Sequence, residues 1–397
     1  MTTAIQKRRL ALYAFFFIPG LSMASWVTRT PAIRDSLGVS IAEMGAVLFG
    51  LSVGSMTGIL SAGALVGRFG TRKVMFTGLC FIILSLATLA LGVAIASPLT
   101  VALGLAFFGL GVGGAEIAVN IDGAEVERIT GKHLLHALHG CFSLGTVFGA
   151  LIGIALNALH FPVSLHMALI ALVCIPVMVT AIRHIPVRSV VQNDEGTQAD
   201  GKAGHSRVWK EPVVLLIGFI VLAMALAEGA ANDWLPLLMV DEYGFSPTAG
   251  SMVFLGFAIA MTLGRFGGGL LLNRYGRATV VAASAVTGAA GIAIVIFASH
   301  PALAAVAVIL WGLGASLGFP VALSAAGDSG PNGAARVKIV AVAGYVAFLV
   351  GPPLLGFVGE EYGLRYAMIV VLVLVALATF CAPAIHRRGV GAKPVEA

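Results

Sequence analysis

The sequence predicts an all-α membrane protein with twelve transmembrane helices in two six-helix, pseudo-symmetric bundles. Three observations predict it: a composition too apolar for a soluble core, twelve apolar segments of bilayer length, and a repeat that maps the second half of the chain onto the first.

Of the 397 residues, 59% are hydrophobic, and the 50 glycines bring apolar-plus-glycine to about 72%. A soluble domain holds roughly 45–50%. Charged residues make up 11%, against about 25% in soluble chains. A soluble fold with this composition would be apolar outside as well as inside. A cytosolic enzyme and a disordered chain are both excluded on that ground. The formal charge of +6 does not point to nucleic acid, because the basic residues come in twos and threes between apolar stretches. That spacing suits loops facing an anionic lipid leaflet. Cys80, Cys141, Cys174 and Cys381 lie singly in apolar surroundings and read as small buried hydrophobes. No metal-type spacing and no cofactor motif is present, so no metal, cofactor or catalytic residue is expected.

A membrane-spanning helix needs about 20 mostly apolar residues. Segments of that kind lie near 10–28, 44–66, 74–96, 100–122, 136–158, 162–183, 213–236, 248–272, 279–298, 302–326, 338–359 and 365–384. They lack the strict alternation of barrel strands, so they are read as helices. The first segment, with Lys7, Arg8 and Arg9 before it, is read as a retained span and not as a cleaved leader. The long polar stretch His184–Glu211 divides the chain into an N-terminal bundle, 1–183, a linker, 184–212, and a C-terminal bundle, 213–397. Of 24 Lys and Arg residues, 20 fall on the side of the N-terminus and linker; Arg29, Arg34 and Arg365 fall on the other, and Arg265 lies within a span. That bias places both termini in the cytoplasm.

A shift of 206 residues lays the region of the second span on that of the eighth. Gly38 meets Gly244, Ser40 meets Ser246, Gly50 meets Gly256, Gly58 meets Gly264, Gly63 meets Gly269, Arg68 meets Arg274 and Gly70 meets Gly276. The triplets Arg68-Phe69-Gly70 and Arg274-Tyr275-Gly276 close corresponding spans. Parallel halves of this kind belong to rocking transporters with a site near the midplane.

These features resemble the major facilitator superfamily, whose signature after its second helix is G-x-x-x-D-R-x-G-R-[RK]. Here the run is Gly63-Ala-Leu-Val-Gly67-Arg68-Phe69-Gly70-Thr71-Arg72, repeated as Gly269-Leu-Leu-Leu-Asn273-Arg274-Tyr275-Gly276-Arg277. The acidic position is replaced by Gly67 and Asn273. The resemblance implies that Gly63, Arg68, Gly70, Arg72, Gly269, Asn273, Arg274, Gly276 and Glu127 belong to a cytoplasmic latch, weakened or rebuilt where the acid is missing. Asp122, Glu125 and Glu127 are expected to pair with basic groups near Arg68, Arg72 or Arg274. Further runs are similar to the MosC and YbjJ group within that superfamily. They include Ser25-Trp26-Val27-Thr28-Arg29-Thr30-Pro31, Asn120-Ile-Asp-Gly123, His139-Gly140-Cys-Phe142, Glu228-Gly229-Ala-Ala-Asn-Asp233-Trp234 and Gly351-Pro352-Pro353. The same likeness implies that helices 1, 4, 7 and 10 line the central cavity.

Ionisable groups inside spans are functional candidates, since placing one there costs about 2.5–3.5 kcal/mol or more. Glu116 and Asn120 share a face of the fourth span, and Glu228 and Asn232 share one of the seventh, with Asp233 and Trp234 following. Trp26 and Arg29 hold the matching end of the first span. Each carries two readings. Glu116 and Glu228 either bind solute or proton or only fix packing. Asp233 is a ligand, or is solvated or paired with Arg29. Trp234 is a membrane-interface aromatic or stacks on a solute ring. Arg29 is a substrate or gate residue. His133, His136 and His139 span too broad an arc for one metal ion, and His139 either couples protons with Glu116 or packs. Arg265 is expected to pair with Asp328. Gly109, Gly111, Gly113 and Gly114 suggest close helix contacts, and Gly140, Gly145, Gly149 and Gly153 suggest a seam with the eighth span.

The function expected is secondary active transport, by alternating access, of a small polar solute, sugar-like ones included, with the proton as coupling ion. The chain is expected as a monomer, multi-pass in a bacterial inner membrane, with no enzymatic activity and no nucleic-acid partner. Drug or metabolite export by proton antiport, and a sensor built on a transporter fold, are the alternatives.

Overall fold

The computed structural model describes residues 3–130, 134–187, 208–330 and 332–386. Among these, twelve helices are long and apolar enough to cross a membrane, one for each predicted segment. In chain order α1 is Thr3–Val27, α2 Ile41–Phe69, α3 Thr71–Ala94, α4 Pro98–Thr130, α5 Leu135–Ala158 and α6 Val163–Ile182. The second set is α7 Pro212–Tyr243, α8 Pro247–Tyr275, α9 Arg277–Phe297, α10 Pro301–Asp328, α11 Gly333–Tyr362 and α12 Leu364–Cys381. A short helix, Thr30–Leu37, follows α1. Several helices run beyond their apolar segment; α4 continues through Asp122, Glu125 and Glu127 to Thr130, because backbone hydrogen bonding does not stop where hydropathy does. The end of α1 at Val27 is called the distal end of the bundle below, and the end holding Thr3 the proximal end.

Local chemistry sets the helix boundaries. Pro98, Pro212, Pro247 and Pro301 open α4, α7, α8 and α10, where the missing N–H costs no hydrogen bond. Ser40 caps α2: its hydroxyl accepts from the Glu43 N–H at 3.3 Å, and the Glu43 carboxylate accepts from the Ser40 N–H at 2.9 Å. Ser246, its repeat mate, accepts from the Ala249 N–H at 3.2 Å. The repeat extends to the backbone. Gly38 and Gly244 have φ of 64° and 68°, and Gly70 and Gly276 have 80° and 76°. A side chain is disfavoured at all four. Gly70 alone separates α2 from α3, and Gly276 alone separates α8 from α9.

The chain divides into two compact units. The first holds the described parts of Met1–Asn193 with Asp233–Ala258 and Pro352–Glu361; the second holds those of Asp194–Asn232, Ile259–Gly351 and Tyr362–Ala397.

Within the first unit α4 is the central helix, packed on α2 by one face and on α3 by another. Gly50, Gly54 and Gly58 of α2 meet the backbone at Ala102, Ala106 and Leu110 of α4. A Cβ at Gly54 would lie 2.7 Å from the Ala106 carbonyl carbon, and one at Gly58 2.6 Å from the Leu110 oxygen. Gly109 and Gly113 face α2 at Ser55 and Ile59, whereas Gly111 faces Gly78 and Ile82 of α3. The close packing expected for this glycine run is what it does. The α5 glycines behave differently from expectation. Gly145, Gly149 and Gly153 meet Phe17, Leu21, Ala24 and Thr28, so their seam is with α1 and not with α8. Small residues recur every fourth position on α5, and α1 brings its backbone to that stripe. Within the second unit α9 packs on α10 and α12. A Cβ at Gly314 would lie 2.7 Å from the Ser284 carbonyl oxygen, and one at Gly291 2.9 Å from that of Ala307.

Candidate functional site

Charged groups within the spans find partners in one of two ways, and the partners differ from those that sequence spacing suggests. In the second unit Arg265 of α8 donates to Glu228 of α7 at 2.8 Å. Their side chains are 29% and 18% exposed. The expected Arg265–Asp328 pair does not form; Asp328 instead accepts from Arg277 at 2.5 Å. Arg265 lies three turns in from the end of α8, whereas Arg277 stands at the first residue of α9, level with the end of α10. The Trp311 indole N–H donates to the Ala227 carbonyl at 3.0 Å and ties α10 to α7 beside Glu228. Asn232, one turn on from Glu228, is half-buried.

At the proximal end of the first unit Arg8 enters the interior at 8% exposure. It donates from Nε to Asp122 at 2.8 Å, from Nη2 to the other Asp122 oxygen at 2.7 Å, and from Nη2 to Glu125 at 3.0 Å. Glu127 accepts from the Leu134 N–H. The three acids of α4 were expected to meet basic groups near Arg68, Arg72 or Arg274; among the described residues α1 reaches Asp122 and Glu125 instead, with a guanidinium set for bidentate contact on Asp122. Arg68 and Arg274 make no ion pair among the described residues, and each lies over the ring that follows it, Phe69 and Tyr275, at 5.3 Å from the centroid. Gly63 and Gly269 have open space where a Cβ would stand. Asn273 is exposed and Arg72 half-buried.

The remaining candidates of the first unit lie on α1, α4, α5 and the distal part of α7. Trp26 is 1% exposed and stands edge-on to Phe108 of α4, with ring centroids 6.3 Å apart. Trp234 is fully buried, so the interface-aromatic reading is corrected. Neither indole N–H has a partner among the described residues. Asp233 is 6% exposed, and no hydrogen bond or ion pair reaches its carboxylate among the described residues. The expected pair with Arg29 does not form, and the side chain is withdrawn from all but a little solvent. On α4 Glu116 is exposed. Asn120, one turn on from Glu116, is half-buried, and its buried carbonyl oxygen has no partner among the described residues. His139 of α5 is exposed and meets the edge of Phe16 at 4.8 Å. His133 lies outside the described residues, as does the side chain of His136.

The distal end of the first unit holds a network that sequence reasoning largely missed. Arg29, 3% exposed, donates to Asn157 at 2.5 Å and to the Phe161 carbonyl. Asn157 in turn donates to the Thr28 carbonyl and to Ser251, both at 3.1 Å, and Ser251 donates to Thr28 at 2.9 Å. Burial pushes the Arg29 guanidinium below its ordinary value. Arg34 pairs with Asp241 and, at 2.9 Å, with Asp35. Burial lowers the Arg34 guanidinium, and the bonds to Asp241 and Asp35 outweigh it and raise the group above its ordinary value. The Ala42 N–H donates to Glu360 at 3.1 Å. Thus, within the first unit, the segments of α7, α8 and α11 that hold Asp241, Ser251 and Glu360 each fasten to the turn after α1 or to the start of α2. One signal was available in the repeat: Asp241 stands 206 positions after Asp35, at the same place in its half.

The sequence model described as Major Facilitator Superfamily matches residues 10–335 and, a second time, 219–396. An uncharacterized MFS-type transporter of Yersinia pestis is 31% identical over 379 residues, 94% of each chain. The membrane protein MosC of Rhizobium meliloti is 25% identical over 94% of this chain and 90% of its own. Among solved structures, a mutant of the nucleoside transporter NupG superposes with a TM-score of 0.78 at 14% identity, over 96% of this chain and all of the other. A D-xylose–proton symporter superposes with a TM-score of 0.75 at 14% identity, over 98% of both chains.

Proposed function

Because the chain belongs to the major facilitator superfamily, we propose that it is a secondary active transporter that moves a small polar solute across a bacterial inner membrane by alternating access, driven by protons. The observation that carries the proposal is the Glu228–Arg265 pair, held at 2.8 Å within spanning helices and left partly exposed. A charge in a span is costly and is retained where a solute or ion passes. Asn120 and Asp233 support the reading, since each offers a polar group that the described residues leave unpartnered. A carboxylate out of water needs a proton, a cation or a hydrogen-bonding ligand to offset its desolvation. Sugar-like and nucleoside-like solutes are suggested by the fold neighbours, which include a nucleoside transporter, a fucose:proton symporter and a xylose–proton symporter. The bias of positive residues supports a topology with both termini in the cytoplasm, and the working unit of this reading is a monomer in the bilayer.

Glu116 is proposed as the proton-carrying carboxylate, with Asn120 holding solute on the same helix face. The test begins with a thermal-shift screen of the purified protein across sugars, polyols and amphipathic drugs. The stabilising compound is then followed into proteoliposomes with and without an imposed pH gradient. Glu116→Gln is expected to bind the compound as the parent does and to lose gradient-driven accumulation. Accumulation that still follows the gradient in Glu116→Gln removes Glu116 from coupling. A parent protein that binds compounds but moves none of them refutes transport itself.

A further inference from the structure

The first unit has a cleft of about 530 Å³ at its distal end, where the turns after α1, α5 and α7 come together. Its wall includes Arg29, Ser36, Asn157, Ser164 and Thr248, and no acidic residue lines it.

Arg29 sets the character of the cleft. Three arginines of the described chain are buried: Arg8, Arg29 and Arg336. Arg8 is neutralised by Asp122 and Glu125, and Arg336 by Glu211. Arg29 has no carboxylate within ion-pair distance among the described residues. Its two bonds go to the neutral oxygens of Asn157 and Phe161, and its Nε is buried with no partner. A guanidinium withdrawn from water without a counter-charge is costly, and the cost is relieved by an anion.

Two helix starts add to the same field. Pro162, Val163 and Ser164 line the cleft as the first turn of α6, a 20-residue helix whose cap residue, Pro162, offers no side-chain acceptor to the free amides. Ser246, Pro247 and Thr248 line it as the first turn of α8. Helix N-termini present amide donors and a partial positive charge to whatever lies beyond them. Asp35 precedes the lining residue Ser36, but its carboxylate is held by Arg34.

We propose that this cleft is an oxyanion-binding site, taking the phosphate or carboxylate group of a small molecule or of a phospholipid head. Arg29 supplies the charge, the α6 amides and the Thr248 amide supply donors, and the hydroxyls of Ser36, Ser164 and Thr248 receive the polar body that carries the anion. The volume is several times that of the oxyanion alone, so the site accommodates its carrier as well. The inference stands on the cleft and does not depend on transport.

The test uses the full chain in neutral detergent, melted against inorganic phosphate at constant ionic strength. The parent is expected to show a saturable rise in melting temperature. Arg29→Lys, which keeps the charge, retains it. Arg29→Gln shifts the half-saturating phosphate concentration upward at least tenfold. Where Arg29→Gln does not fold, Asn157→Asp serves instead, because it places a carboxylate on the Arg29 guanidinium and satisfies the site from within; the phosphate effect is then lost. A second arm compares nanodiscs of phosphatidylcholine with nanodiscs containing phosphatidylglycerol, with native mass spectrometry of bound lipid. Phosphatidylglycerol that abolishes the phosphate response, and is retained by the parent but not by Asn157→Asp, assigns the site to lipid. A phosphate response unchanged by phosphatidylglycerol assigns it to a free solute. A parent with neither phosphate response nor retained anionic lipid overturns the proposal, as does an equal response in Asn157→Asp.

Discussion

Glu228→Gln is the substitution whose outcome separates a working charge pair from a structural one. The change keeps the size of the side chain and removes its charge, leaving Arg265 within a span with no carboxylate at 2.8 Å. Two unit charges at that distance attract by about 6 kcal/mol at an effective dielectric constant of about 20, most of which is cancelled by desolvation in any net balance. Breaking a fully buried pair costs about 3–5 kcal/mol. Here the side chains are 18% and 29% exposed, so protein does not enclose the pair completely. Partial enclosure brings the expected loss below that range, to about 2–3 kcal/mol. The double variant Glu228→Gln/Arg265→Met removes both charges and is expected within about 1 kcal/mol of the parent. Reversible denaturant unfolding of the purified chain in mixed micelles measures all four corners of that cycle. A Glu228→Gln protein as stable as the parent refutes the pairing argument. The same double variant then tests function. If it is stable and still transports the identified solute at the parental rate, the pair only fastens α7 to α8. If it is stable and inactive, the charges act on solute or proton.

Three further outcomes are expected. Gly145→Ala forces a Cβ to within 2.9 Å of the Leu21 nitrogen, an overpacking that costs about 1–3 kcal/mol in unfolding measurements; Gly63→Ala, with open space around it, changes stability by less than about 1 kcal/mol, and equal effects at the two positions would refute the α1–α5 seam. A single cysteine placed in 184–212 is expected to react with an impermeant maleimide only from the cytoplasmic side, and labelling of intact spheroplasts from outside would reverse the topology. Arg68→Ala is expected to fold and to shift the distance distribution between spin labels on the two halves; distributions unchanged in both Arg68→Ala and Arg274→Ala would take the two corners out of the conformational cycle.

The twelve spans were legible because each is a long apolar run, and a span is decided by length and hydropathy alone. The repeat was legible for a different reason. Gly38 and Gly244, and Gly70 and Gly276, occupy left-handed corners that tolerate little else, so the backbone requirement is written into the residue type. Side-chain partners were not legible. Asp122 meets Arg8 across 114 positions, and nothing in either neighbourhood marks α1 as the nearer source of charge. Arg265 had two acids within reach along the chain order, and only the level of each along its helix decides for Glu228. The α5 stripe announced a close neighbour without saying which, because a row of small residues records a distance and not an identity. Trp234 was misplaced because α7 runs on to Tyr243, nine residues beyond it, so that its indole lies in the packed interior and not at the helix end. The cleft at Arg29 needed three turns brought together, which no local pattern foretells.

The position of α4 between α2 and α3 bears on how the chain is made. The ribosome delivers α2 and α3 first, joined by the single residue Gly70, so the two cannot slide or invert independently as they leave the insertion channel. Yet the glycine surface of α2 at Gly50, Gly54 and Gly58 has its complement on α4, and so does Gly78 of α3. Until α4 emerges, both helices stand in lipid with their closest-fitting faces uncovered. The smallest assembly that can settle during synthesis is therefore the trio and not the hairpin, and a pause in translation before residue 98 would hold the nascent chain at its most vulnerable to quality-control proteases.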